Sequence, residues 1–195
     1  MSQRIFIAIN LPLNIKSELE KLKEEIQNSF PEEMRRGLIK WIKKENLHIT
    51  LLFIGSVDKE KIIEISQITK EIVEKEKMFS LKFKKICYGP PAKIPPRLIW
   101  LELEKNPELL KLVERIKKEI TKINVLTKIE NRGFSPHITL GRVKSWQWQK
   151  IEPEERPDIE REVELEFKVN SVEIMESELK RSGAEYTILE SLKLT

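Results

Sequence analysis

Two histidines, one cysteine, two aspartates and six glycines are this 195-residue chain's whole supply of the residues behind most metal, redox and nucleotide-loop chemistry. With Cys87 alone, no intramolecular disulfide can form, which suits a reducing cytoplasm. Two imidazoles and one thiol make at most a thin zinc site. There is no HExxH and no pair of cysteines, and Asp58 and Asp158 are the only aspartates. The glycines stand singly, so neither a P-loop nor a dinucleotide fingerprint is present. The apolar run Ile5–Ile9 is far shorter than a membrane span and has no small-residue cleavage site behind it. The expectation is a soluble cytoplasmic protein with no membrane partner, no metal and no cofactor, stabilised by a packed core. Charge, by contrast, is plentiful: 36 Lys and Arg face 32 Asp and Glu, a net charge of +4 that permits an anionic partner without requiring one.

The apolar pattern predicts a strand over Arg4–Asn10, then a helix from Asn14 whose Ile15, Leu19, Leu22 and Ile26 share one face, with a break at Pro31. Strands are expected over Leu38–Ile42 and Leu47–Ile54, the second ended by Gly55. Asp58 caps a helix with an apolar face through Ile62, Ile65, Ile68 and Ile72. Two strands, Leu81–Cys87 and Arg97–Leu103, flank the Pro-rich turn Gly89–Pro96. Asn106-Pro107 starts a third helix, which turns Leu109, Leu112, Ile116, Ile120 and Ile123 to the core. A loop with Gly133 and Pro136 leads to a strand over His137–Val143. After a charged stretch around Ile151–Pro157, final strands follow over Leu165–Met175 and Tyr186–Leu192. Strands in adjacent runs between three long amphipathic helices indicate an α+β fold. No low-complexity linker divides the chain, so residues 1–195 are expected to form a single domain, open to two lobes.

Both histidines sit in the same tetrapeptide, His48-Ile49-Thr50-Leu51 and His137-Ile138-Thr139-Leu140. At this chain's own residue frequencies, such a coincidence arises roughly once in two thousand. The flanks agree as well, each copy being followed closely by a glycine, Gly55 and Gly141. A repeat spaced by about half the chain points to two related lobes, each giving one strand to a shared site. Along a strand, His48 and Thr50 face one way while Ile49 and Leu51 face the other, and the second copy does the same. Two imidazoles and two hydroxyls can then converge on a cleft. An unperturbed imidazole pKa of about 6.5 allows one copy to be protonated and the other neutral near neutral pH, as acid/base phosphodiester chemistry needs. Thr50 and Thr139 can donate to non-bridging phosphate oxygens. The ordinary alternative is a pair of strand histidines whose ring nitrogens are satisfied by the backbone, which leaves the duplication unexplained.

At these residues the chain resembles the two-histidine (2H) phosphoesterase superfamily, defined by paired HxTx motifs. It looks more narrowly like the RNA 2′,3′-cyclic phosphodiesterase family, long called the 2′-5′ RNA ligase family. The likeness extends through Arg4–Ile9 with Leu11-Pro12, Trp41–Gly55, Pro96–Leu101, Phe134–His137 and Gly183–Tyr186. It implies a bilobal LigT-like fold, with two pseudo-symmetric lobes whose antiparallel sheets line a central cleft and whose helices lie outside. It also implies hydrolysis of a 2′,3′-cyclic phosphate on RNA to a 2′-phosphomonoester. By this resemblance His48 is the proton donor to the departing 3′ oxygen, His137 the base that activates water, and Thr50 and Thr139 hold the phosphate. The expected partners are RNAs with cyclic ends, tRNA fragments or cyclic nucleotides, acted on by a monomer.

Other residues are less decided. The family often has a basic residue at the position of Arg142, but strict alternation turns Arg142 away from His137, and only a bulge at Gly141 brings it back. Arg4 and Phe6 share parity and could reach the cleft, with Phe6 equally suited to the core. Trp146 and Trp148, flanked by Lys144 and Lys150, either stack RNA bases or anchor a loop as buried rings. Tyr186 is open in the same way, whereas Cys87 reads as a packed core residue. Two further functions stand as alternatives, the first with the same residues and the second with the basic surface alone. One is 2′-5′ ligation of cyclic and 5′-hydroxyl ends, expected as a side reaction in excess water. The other is an RNA-binding module without catalysis, which has no need of the paired HITL.

Overall fold

The structure is a computed structural model that describes residues 2–35, 37–91, 93–125, 133–181 and 183–195. Position 92 of the expected Pro-rich turn and positions 126–132 of the expected loop before Gly133 lie outside the described residues. Strand β1 (Gln3–Asn10) buries Ile5 through Ile9 on both faces. Helix α1 (Leu13–Ser29) follows, with Ile15, Leu19 and Ile26 inside. Its buried Lys16 and Lys23 donate to the carbonyls of Glu45 and Ile42, so α1 pins the segment that leads into the first HITL copy. A short helix α2 (Glu32–Arg35) precedes β2 (Ile39–Trp41) and β3 (His48–Val57). Helix α3 (Lys59–Val73) is capped as expected, the Asp58 carboxylate accepting from the Lys61 amide at 2.9 Å. Strands β4 (Phe79–Gly89) and β5 (Leu98–Leu103) come next. Helix α4 (Pro107–Lys122) has Asn106 accepting from Leu109 N at 2.7 Å, and it buries Leu109, Leu112, Ile116 and Ile120. Strand β6 (His137–Val143) spans the expected residues, and α5 (Ser145–Trp148), β7 (Arg161–Glu162), β8 (Glu166–Val169), β9 (Ser171–Lys180) and β10 (Gly183–Lys193) complete the order.

Two differences from the sequence expectation have a clear cause in the strand pairing. Gly55 does not end its strand. β3 runs on to Val57 because β1 pairs with it as far as Gln3, and Gly55 absorbs a bulge with φ +103°, where other side chains are strained. The single run Leu165–Met175 is two strands that separate at Asn170. Its continuous hydropathy hides a crossing, because β8 pairs with β4 while β9 pairs with β1.

Every ladder is antiparallel, and the main sheet runs β10-β9-β1-β3-β6-β5-β4-β7, with β2 alongside β6 and β8 alongside β4. Its two halves, β10-β9-β1-β3 and β6-β5-β4-β7, join through one residue pair between β3 and β6, Ile49 with Ile138. Each half sends a helix between strands that pair with each other, α1 between β1 and β3, and α4 between β5 and β6. One face of the sheet packs Ile7, Ile9, Ile49, Leu101, Ile138 and Ile174 into a core shared with the three long helices. The opposite face of the first half holds a separate small cluster of Phe6, Ala8 and Met175 with Tyr186. The antiparallel α+β class is as the sequence implies.

Candidate active site

The one pair that joins the halves also aligns the repeat. Ile49 and Ile138 are fully buried on the core face, so the residues on either side of each point to the open face. Carried one step each way, the antiparallel register sets His48 beside Thr139 and Thr50 beside His137. All four side chains are partly exposed.

The two imidazoles are held alike. His48 Nδ1 donates to the carbonyl of Asn46 at 2.7 Å, and His137 Nδ1 donates to that of Ser135 at 2.8 Å, in each case two residues back. Backbone therefore does satisfy one nitrogen of each ring, and in doing so it fixes the tautomer that leaves Nε2 for chemistry. His48 Nε2 lies 2.9 Å from Thr50 Oγ1. Neither His137 Nε2 nor Thr139 Oγ1 has a hydrogen bond among the described residues. Asn46 is itself buried and donates through Nδ2 to the carbonyl of Ala184 on β10, which ties the His48 support to the last strand.

Aromatic rings flank both imidazoles. Phe6 lies 5.1 Å from His48 at a tilt, and Tyr186 meets His48 edge-on at 5.1 Å. Of the residues open in the sequence, Phe6 and Tyr186 thus lie against His48, Phe6 also being buried. His137 stacks on Trp100, 3.9 Å between centroids. Trp100 in turn lies over Gly89, where a Cβ would fall 2.2 Å from Trp100 Cδ2. Glycine is needed there to let the indole lie flat on β4.

Burial lowers the pKa of both histidines below the ordinary value, as desolvation penalises the imidazolium. The Asn46 and Ser135 carbonyls oppose this. Lys16 and His137 lower His48 further, whereas Glu102, paired with His137 in the β5–β6 register, raises His137. Because both folded pKa values lie below the unfolded one, the unfolded chain takes up protons first, and these two groups reduce stability as pH falls below about 6.5. Burial, with Glu102 nearby, pushes the Cys87 thiol up to about 11, in keeping with a packed residue rather than a nucleophile.

A bulge alters the alignment beyond Thr139. β5 and β6 pair Trp100 with Thr139 but Ile99 with Gly141, skipping Leu140, so Arg142 lands on the face of Thr139, exposed. On β3 the same effect at Leu51 brings Phe53 opposite Phe6, on the open face and 63% exposed, with 6.1 Å between their rings. Arg4 shares that face through the parity of β1. The tryptophans divide: Trp148 is buried against Tyr88 at 4.9 Å, and Trp146 is 58% exposed with Lys150 Nζ 5.0 Å above its ring. Phe53, Trp100 and Gly89 were not singled out as site residues in the sequence. For Phe53 the bulge erases the parity signal, while the Trp100–His137 contact joins strands whose pairing no local pattern reveals. Among the described residues, no three or more His, Cys, Asp or Glu side chains gather as metal ligands would. Nor is any helix among them long and apolar enough to cross a membrane.

Two strands that each present His-x-Thr to one open face, one from each half of a helix-backed antiparallel sheet, define a two-histidine phosphoesterase architecture. The model of the family described as LigT like Phosphoesterase matches the chain twice, over residues 11–100 and 101–186, each match holding one histidine. The chain belongs to this family. It is similar to the RNA 2′,3′-cyclic phosphodiesterase of Thermotoga maritima, 35% identical over 196 residues that cover 95% of this chain and 92% of that protein. The protein of the same name from Methanocaldococcus jannaschii is 33% identical over 187 residues, 95% of this chain and 98% of that one. The crystal structure of E. coli LigT in apo form matches with a TM-score of 0.78 at 26% identity, covering 100% of this chain and 98% of that one.

Proposed function

We propose that this phosphoesterase hydrolyses 2′,3′-cyclic phosphate ends of RNA, tRNA fragments included, to 2′-phosphomonoesters, by two-histidine acid/base catalysis without a metal. The observation that carries this is the Ile49–Ile138 register, which turns both imidazoles and both threonine hydroxyls toward one open face. The names of the similar proteins support the same substrate. Water attacks the phosphorus as His137 removes its proton, the bond from phosphorus to O3′ breaks, and His48 protonates O3′. Thr50 and Thr139 donate to the non-bridging oxygens, where charge builds up, and Arg142, farther along the same face, helps hold the anionic substrate. Residues 1–195 act as one two-lobed unit, since neither half has both imidazoles. A monomer suffices, because one chain supplies all four groups, and the thiol of Cys87 suits the reducing cytoplasm.

Incubation with a 2′,3′-cyclic nucleotide in EDTA is expected to give the 2′-phosphate at an undiminished rate. Turnover lost in EDTA and restored by a divalent ion, or a 3′-phosphate product, would overturn the reading. The pH dependence is a separate check. General acid and base must be protonated and neutral respectively, so kcat/KM peaks between their free-enzyme pKa values. Burial lowers both, which puts the expected maximum on the acid side of about 6.5. A maximum above neutrality would contradict the assignment.

A further inference from the structure

Lys40 of β2 and Arg142 of β6 stand directly opposite one another in an antiparallel ladder, so their side chains leave the same face. It is the open face. The alternate positions Ile39, Trp41 and Gly141 turn toward the helices: a Cβ on Gly141 would meet Ile39 Cγ2 at 2.7 Å, and the Trp41 indole donates to Gln27 of α1. Both cations are exposed, and neither has an ion pair or a hydrogen bond among the described residues. Glu185, on the neighbouring β10, is engaged by Lys180 at 2.5 Å. Like charges facing each other across a ladder destabilise it unless an anion lies between them.

The pair also has a direction. With Leu140 bulged out, Arg142 follows Thr139 by two strand steps, ~6.6 Å, close to the phosphate-to-phosphate step of an extended nucleic acid chain. Lys40 Nζ lies 3.6 Å from the Cβ position of Gly183, at the start of the strand whose Tyr186 touches His48. The two cations therefore adjoin the histidines without contacting them.

We infer that Lys40, together with Arg142, binds the phosphodiester one nucleotide upstream of the cyclic phosphate, and so makes the enzyme prefer cyclic ends on an RNA chain to free cyclic mononucleotides. This rests on the cyclic phosphodiesterase reading. It makes Lys40 a specificity residue for chain length rather than a catalytic one.

The test compares a dinucleotide ending in a 2′,3′-cyclic phosphate with a 2′,3′-cyclic mononucleoside that has a free 5′-hydroxyl. For Lys40→Gln, the ratio of kcat/KM for dinucleotide over mononucleotide is expected to fall about two- to fivefold, the range of an exposed ion pair. The salt slope of log kcat/KM for the dinucleotide is expected to flatten by about 0.7. Lys40→Arg should keep both. Lys59→Gln, at the start of α3, serves as the control for net charge. A ratio unchanged in Lys40→Gln, a ratio changed as much in Lys59→Gln, or a variant that melts early and fails equally on both substrates would each overturn the inference. Wild-type protein that turns over neither substrate would sink the cyclic phosphodiesterase reading itself, a distinct result.

Discussion

Replacing either His48 or His137 with alanine is expected to lower kcat on a 2′,3′-cyclic nucleotide by about 10²–10⁴-fold, the usual contribution of one general acid or base. The double variant should fall little further than the worse single one, because acid and base act in the same transition state and their losses do not add. Folding should survive both changes. Each ring is partly exposed, and His137 is held by one hydrogen bond to a carbonyl that water can replace. Activity within tenfold of wild type in either variant, with normal circular dichroism and melting, would leave that histidine without its proposed role.

Trp100→Ala is expected to act on both stability and rate. Removing a buried indole costs about 3–5 kcal/mol of folding stability. It also takes away the ring stacked 3.9 Å from His137, leaving that imidazole free to tilt. Turnover should therefore drop well beyond what partial unfolding explains, and Trp100→Phe should restore part of it. Gly89→Ala probes the same stack from beneath, since its Cβ would drive the indole upward at a cost of about 1–3 kcal/mol. Trp148→Ala is the comparison: that ring is equally buried but packs on Tyr88 and Arg156, away from either imidazole. Comparable kcat in Trp100→Ala and Trp148→Ala, measured well below their melting temperatures, would show that the indole only fills space.

What could be seen in the sequence followed the range of each signal. Helical faces, the Asp58 and Asn106 caps and the alternation within HITL depend on neighbours a few residues apart, and they appear in the structure as expected. The face of Arg142 was open because one skipped residue, Leu140, reverses all alternation beyond it. Phe53 was missed for the same reason at Leu51. Contacts such as Phe6 with Tyr186 and Trp100 with His137 join distant segments, so no local period reports them. The split of Leu165–Met175 was hidden because apolar residues recur through both strands, Phe167 and Val169 buried in β8 and Val172, Ile174 and Met175 in β9, while the two serve different halves.

The order of strands across the sheet bears on how the molecule comes to be folded. The first half is completed by the last strands of the chain, with Ile5 pairing to Glu176 and Asn46 waiting for the carbonyl of Ala184. Contacts of that sequence separation impose a large loop-closure cost and slow folding. A growing chain that has already exposed both histidines still lacks the strand that seats the first of them. Under the proposed mechanism, competence for catalysis therefore arrives late, after both histidines have been made.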